Sequence, residues 1–370
     1  MNNRERTNAI LHYQNYDRMP VVHFGFWTET LEKWYREGHI TREQSENWQD
    51  GNVYDKEIAE KLGFDFNWYT CFMPNTGLDP VFEEKDVGAG PSGGRMVQNA
   101  DGVTVLRKEG AGSIPAEIDH LLKDRESWEK HYKWRLQFSE ERVPVSTFRT
   151  YAEENQGNPL GLYCGSLFGK IRDLMGLEGI SYLYMDDEDL YDEIIDTVGN
   201  LCYKTTEFIL HQGFSFDFAH FWEDICFKNG PLVIPDVFYE KVGPCYRRIT
   251  DLLNRHGIDI VSLDCDGVID TLIPTWMDHG VNTMFPLEVG SWNGSFAPLR
   301  ERYGKALRGV GGMNKNVFSM EKEDIDREVQ RLRKLVKLGG YIPCPDHRIA
   351  PDAKWENVQY YCEKMHTELE

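Results

Sequence analysis

Two rhythms of apolar and polar positions alternate along the 370-residue chain. Short apolar runs, rich in Val, Ile, Phe and Tyr, read as strands. Between most of them lie stretches whose apolar residues return every three or four positions, as on a helix with one buried face. The strand candidates are 21–27, 63–69, 160–164, 216–221, 258–263, 281–285, 307–310 and 341–344. Among the helical stretches, 323–338 places Ile325, Val329, Leu332 and Val336 on one face. Another, 237–255, ends at His256-Gly257, where glycine suits a left-handed cap. Eight strands alternating with helices predict an α/β fold, a (β/α)8 TIM barrel, formed as a single domain over 1–370.

The stretch from about 71 to 158 breaks the alternation. It is rich in Gly and Pro, and Met96–Asn99 and Val103–Arg107 flank an Asp101-Gly102 turn. That pattern predicts a β-hairpin, followed by a charged helix over 120–138. With no long apolar element of its own, the segment reads as a β-hairpin-bearing insertion after strand 2. It is expected to cover part of the barrel mouth.

Composition narrows the partners. With 41 Lys+Arg against 61 Asp+Glu, the formal net charge is −20. Such a field repels nucleic acid and anionic membranes. The eight cysteines form no Cys-x-x-Cys pair, and a chain with 41% hydrophobic residues has core enough without disulfides. No long apolar run and no signal-type leader is present, so a cytoplasmic protein is expected.

In a barrel, chemistry lies at the C-terminal ends of the strands. Strand one ends on His23 and Trp27, strand two on Trp68, and strand three on Tyr163 and Ser166. Strand four carries His220, Trp222, Glu223 and Asp224, strand five Asp264 and Asp266, strand six Glu288, and strand eight Asp346 and His347. Asp264 and Asp266 are two apart and face one side of a regular strand, leaving Cys265 on the other. One imidazole with several carboxylates is a nitrogen-and-oxygen set suited to zinc, manganese or iron. Trp27, Trp68 and Trp222 are candidate walls of a substrate pocket. Each candidate also has a plain structural reading. Asp266-Gly267 is a turn and cap signal, Glu223 and Asp224 sit where the next helix needs capping, and His23 and the tryptophans suit a packed core. Gly309-Val310-Gly311-Gly312 alone is too common a pattern to mark a phosphate loop.

Five runs together resemble the uroporphyrinogen decarboxylase superfamily: WEDICFKNGPL (222–232), DCDG (264–267), PLEVG (286–290), YGKALRGVGGMNK (303–315) and GGYIPCPDHRIAPDAKWENV (339–358). The resemblance implies a (β/α)8 barrel and one of two chemistries: decarboxylation of uroporphyrinogen, or methyl transfer among small methylated compounds, corrinoid proteins and thiols. The decarboxylase carries arginines in its first strand to hold a substrate with many carboxylates. Here that place is His23-Phe24-Gly25-Phe26-Trp27, with no arginine, so methyl transfer is the better match. The zinc-binding positions of the corrinoid-linked thiol methyltransferases fall on Asp264, Asp266, Glu288 and His347, every sulfur replaced by oxygen or nitrogen. Tyr163 approximates the place of a tyrosine near the reacting carboxylate of the decarboxylase.

The resemblance therefore implies a methyltransferase dependent on zinc or another divalent metal. It would move a methyl group from a small methoxy-type substrate to a corrinoid carried by a partner protein. In this scheme Glu223 or Asp224 is the acid for the leaving group, His347 is catalytic or metal-bound, and His23, Trp27, Trp68, His220 and Trp222 line the substrate. The resemblance also allows a homodimer, dimers being common in that superfamily, while the sequence does not fix the oligomeric state. A decarboxylase of a smaller acid and a non-catalytic binding barrel are the alternatives.

Overall fold

Most of the apolar runs pair as strands of one large parallel sheet. The computed structural model describes residues 1–108, 115–290 and 292–369. Within them, β1 is Val22–His23, β2 Phe66–Asn67 and β3 Cys71–Phe72; β4 to β7 are Lys85–Ala89, Arg95–Gln98, Val103–Arg107 and Ala116–His120. Then come β8 Gly161–Tyr163, β9 Phe218–Trp222, β10 Cys226–Phe227, β11 Gly230–Pro231, β12 Val261–Asp264, β13 Thr283–Phe285, β14 Arg308–Met313 and β15 Tyr341–Pro345. A seven-stranded sheet has the order β15-β14-β13-β12-β9-β8-β3, and its neighbours run parallel. β1 and β2 form a separate parallel pair, and Phe26, just past β1, bridges in parallel to Ile349, just past β15.

The expected strands at 21–27 and 63–69 are shorter than their apolar patterns. The second ends at Asn67 because the chain turns there, Thr70 N–H donating to the Asn67 carbonyl at 3.2 Å, before β3 resumes. The helix expected over 237–255 is two, Pro235–Lys241 and Gly243–Arg255. The helix expected over 323–338 is Lys322–Val336. Its first turn is closed by a reciprocal cap between Glu321 and Asp324, and it buries Ile325, Val329, Leu332 and Leu335. Val336, at the fraying end, is half-buried instead.

The region after β3 holds more than a hairpin. β4 to β7 form a four-stranded antiparallel sheet. The expected hairpin is β5–β6, whose turn is held by the Asn99 side-chain oxygen accepting from Asp101 N–H (3.0 Å) and Val103 N–H (2.9 Å). Gly102 sits at φ +80, which its missing Cβ allows. The helix expected over 120–138 is only a chain of short turns, within which Trp128, Tyr132 and Leu136 are buried. The hairpin tip reaches the large sheet's periphery: Asp101 forms an ion pair with Lys170 at 2.9 Å.

Register decides what faces the interior. Tyr163 pairs with His220, His220 with Ser262, Trp222 with Asp264, and Asp264 with Phe285. In-register neighbours of a parallel sheet point to one face, so these side chains form an inner layer. The alternate residue Phe221 faces outward onto Tyr246 of the helix Gly243–Arg255, at 5.2 Å between rings. All eight cysteines are free thiols, and among the described residues no helix is long and apolar enough to cross a membrane. Leu332 lies at the centre of the buried face of Lys322–Val336. Leu332→Ala is expected to destabilise the protein by about 2–5 kcal/mol in urea unfolding; a loss under about 1 kcal/mol would mean that this face is not close-packed.

Candidate active site

Three polar strand ends converge with the turn after β15. Asp264 is the last residue of β12, and its backbone continues the ladder: Glu223 N–H donates to the Asp264 carbonyl at 2.8 Å, and Cys265 N–H to the Phe285 carbonyl at 3.0 Å. The extension delivers Asp266 to His347, whose Nε2 lies 3.2 Å from Asp266 Oδ2. Trp27 stacks on the imidazole at 5.2 Å with 12° between planes, and Phe24 stands 5.7 Å away. The ring is thus clamped by an aromatic face and a carboxylate. His347 Nδ1 and Asp266 Oδ1 are both buried without a hydrogen-bond partner.

The carboxyls here are held toward their protonated form. Burial drives Asp264 (6% exposed) well above the usual carboxylate range; Asp266 and Asp224 add to this, and the Tyr69 hydroxyl and Arg348 oppose it. Glu288 is raised by burial and by Asp266, although Gly267 N–H (2.7 Å) and the Trp292 indole N–H donate to it. Asp224 is pushed up to about 6, chiefly by burial, with Asp266 and Asp173 adding and Arg172 pulling down. Like charges placed close in a partly dry site cannot all ionise.

Glu223 and Asp224 are neighbours with opposite fates. The Glu223 carboxylate is fully buried and accepts from Leu167 N–H (2.8 Å), Phe168 N–H (2.9 Å), Gly169 N–H (2.7 Å), Ser166 O–H (3.1 Å) and Tyr246 O–H. It caps the free N–H groups that open the helix Gly169–Asp186, where the positive helix end also favours it. A Cβ at Gly169 would stand 1.8 Å from the Glu223 carbonyl oxygen, so only glycine allows this approach. Five donors occupy the carboxylate's lone pairs. The structure thus places Glu223, expected as an acid for a leaving group, in a cap at the opening of this helix. Asp224 turns the other way, through a left-handed backbone at φ +47, toward Arg172 Nη2 at 3.4 Å. Arg172 also binds Asp173 at 2.7 Å.

The remaining candidates divide. His23 does not join the group. It lies on the far side of β1 against Phe64 (4.8 Å) and Phe26 (5.2 Å), lining a separate 410 Å³ cavity beside the helix Val53–Leu62. Phe24, one residue on, faces the site instead, which is the strand alternation resolved. Trp68 is core: fully buried, stacked on Phe218 at 4.4 Å, its N–H donating to Ser262 Oγ at 3.3 Å. His220 lies beside it, Nδ1 3.1 Å from the same Ser262 Oγ, beneath Tyr69 (5.1 Å) and Phe285 (5.8 Å). Burial lowers its pKa to about 3, so it is neutral. Trp222 and Tyr163 are half-buried at the ends of β9 and β8. Burial also raises the Tyr163 hydroxyl.

Three further residues belong here. Tyr69 stands between His220 and Phe24, at 6.0 Å from the latter. Arg348 lies over Phe24, Trp48 and Tyr69 and is tied to Asp50 at 2.6 and 3.2 Å. Arg172 lies opposite. Arg348 was signalled by its place beside His347. Asp50 and Arg172, on a loop and a helix, carried no such signal.

The expected metal ligands do not form a metal site. Among the described residues no three His, Cys, Asp or Glu side chains group to hold an ion. Asp266 and His347 bind each other, and Glu288 is turned to Gly267 and Trp292.

No family model and no curated protein matches this chain. Among solved structures, it is similar to a methyltransferase from Methanosarcina mazei, with TM-score 0.60 at 14% identity over 99% of this chain and 98% of that one. It is also similar to a B12-independent methionine synthase from Shewanella sp. W3-18-1, with TM-score 0.52 at 12% identity over 95% and 99% of the two chains. At such identities the likeness is one of fold, and that fold spans the whole length of both.

Glu223→Ala would strand the helix-opening N–H groups and is expected to cost about 3 kcal/mol or more in urea unfolding; a loss below about 1 kcal/mol would show that water replaces the cap. Asp224 is raised above its ordinary 3.8, so its contribution favours the fold below about pH 4 and is lost as the pH rises through about 6. Asp224→Asn should therefore be more stable than the parent at pH 8, by roughly 1 kcal/mol once solvent screening is allowed for, and equal to it below about pH 4. A constant difference across that range would sink the assignment.

Proposed function

We propose that the protein is a methyltransferase with a closed (β/α)8 barrel, related to the uroporphyrinogen decarboxylase superfamily. In this reading it removes a methyl group from a small methylated compound and delivers it to a corrinoid on a partner protein. The full-length likeness in fold to a methyltransferase supports it, as does the bridge from Phe26 to Ile349 beside the β1–β2 pair, which joins the two ends of the strand series. The observation that carries it is the cluster of proton-holding carboxyls at the strand ends. Moving a methyl from a heteroatom leaves charge on that atom, and an acid able to hold a proton near neutrality is what the departure needs.

Asp224 is assigned that proton. It is half-exposed at the mouth, where a substrate can meet it, and its pKa of about 6 is matched to the task. Glu223 and the helix end fix the backbone from which Asp224 projects. His347, oriented by Asp266 and Trp27, presents Nδ1 to the substrate. Tyr69, Phe24 and Phe285 exclude water from the floor. A reduced corrinoid supplies the nucleophile that accepts the methyl group. Because the residues do not gather as a metal centre, no step is assigned to a metal.

The test is methylation of free reduced cobalamin, followed by its absorbance, with a panel of methanol, methoxylated aromatics and methylated amines. Turnover of at least one donor is expected, with Asp224→Asn slower by about 100-fold or more. Release of carbon dioxide from a carboxylic acid, with no methyl donor used, would replace this reading with a decarboxylase.

A further inference from the structure

We infer that the cavity beside the helix Val53–Leu62 is a second binding site, for a small neutral heterocycle whose edge carries carbonyl and N–H groups, as a pyrimidine base does. The cavity holds 410 Å³, the size of a small-molecule site. It is separate from the mouth: none of Asp224, Asp264, Asp266, Glu288 and His347 lines it.

Three polar groups of its lining are left unpaired, and an obligate partner fixes the identity of each. His23 is fully buried, and its Nδ1 accepts from Gly25 N–H at 3.1 Å. A backbone N–H can only donate, and burial lowers the imidazole pKa to about 3, so the ring is neutral with its proton on Nε2. That N–H has no acceptor among the described residues. Asn155, 5% exposed, donates its amide N–H to the Tyr151 carbonyl at 2.7 Å. Its Oδ1 accepts from no described residue. Arg6 donates to Asn3 Oδ1 at 3.2 Å, so Asn3 Nδ2 is the group that donates to Asn158 Oδ1 at 3.0 Å. Asn158 Nδ2 is then left over. One turn holds the two asparagines together, Asn158 N–H donating to the Asn155 carbonyl at 3.0 Å.

The charged groups of the lining do not ask for a charged ligand. Asp55 accepts from the Trp48 indole N–H (2.8 Å), Gly51 N–H (2.9 Å) and Asn67 Nδ2 (3.0 Å). Asp65 binds Arg18 through both oxygens at 2.7 Å, and Lys56 donates to the Glu154 carbonyl at 3.0 Å. His366 Nε2 donates to the Gly63 carbonyl at 2.9 Å. What remains is two donors and one acceptor, which a ligand with two carbonyls and one N–H completes without bringing a charge out of water. Phe64, its ring 4.8 Å from His23, and Phe66 also line the cavity. Water could meet the polar groups but not use these faces, whereas a planar ring meets both.

Calorimetric titration of the full chain with uracil, against 1,3-dimethyluracil, tests this directly, since the second compound keeps the ring and carbonyls and lacks the N–H groups. Uracil is expected to bind with a Kd of about 1 mM or tighter, and at least about tenfold more tightly than the dimethyl compound. His23→Phe keeps an aromatic ring and removes the donor, and should weaken uracil about tenfold. Asn158→Ala, at a half-exposed position, should do the same and serves should the first variant not fold. Asp266→Asn, at the mouth, should leave uracil affinity unchanged. Equal binding of the two compounds would overturn the inference, as would no uracil binding up to about 10 mM, which would mean that water alone fills the cavity. Loss of binding in Asp266→Asn with none in His23→Phe or Asn158→Ala would also overturn it, by placing uracil at the mouth.

Discussion

A carboxylate removed from water must be surrounded by donors or lose its charge, and Glu223 is where this protein meets that demand most fully. Its five donors come from a helix opening, a serine before it and a tyrosine on a different helix. The contact joins β9, the start of Gly169–Asp186 and the helix Gly243–Arg255 at one point. Asp224, Arg172 and Asp173 take their positions from the elements it joins. The site is thus built on a neutralised charge, and the charges left over face the mouth.

Those remaining charges follow from parallel pairing. Because Trp222, Asp264 and Phe285 are in register, an apolar floor and an acidic rim arise on the same inner face within a few residues. Each strand then continues by one or two backbone hydrogen bonds past its regular end, which is how Asp266 reaches His347. Burial, with crowding added, raises Asp264, Glu288 and Asp224, the last to about 6.

The likeness in fold and the residues at the mouth say different things. The fold is shared along its whole length with a methyltransferase and a methionine synthase. At the mouth, Asp266 and His347 contact each other, and among the described residues no three His, Cys, Asp or Glu side chains group to hold an ion. A shared fold does not fix a shared chemistry, since function resides in the site.

The alternation of apolar runs and helical stretches was enough to determine the α/β class, most strand positions, the hairpin at Asp101-Gly102 and the placing of His347 and the two aspartates at strand ends. Those features depend on local periodicity and turn chemistry, which a sequence carries directly. What it did not carry was which face each borderline residue takes. His23 and Phe24 differ by one position and so by one face, and Trp68 is core although it stands at a strand end. Nor could it distinguish Glu223 from Asp224, because the difference lies in donors arriving from Ser166 to Gly169 and from Tyr246, brought near only by folding. Hydrogen-bond partners distant in the chain decide whether a buried carboxyl is a cap or an acid, and only the tertiary structure supplies them.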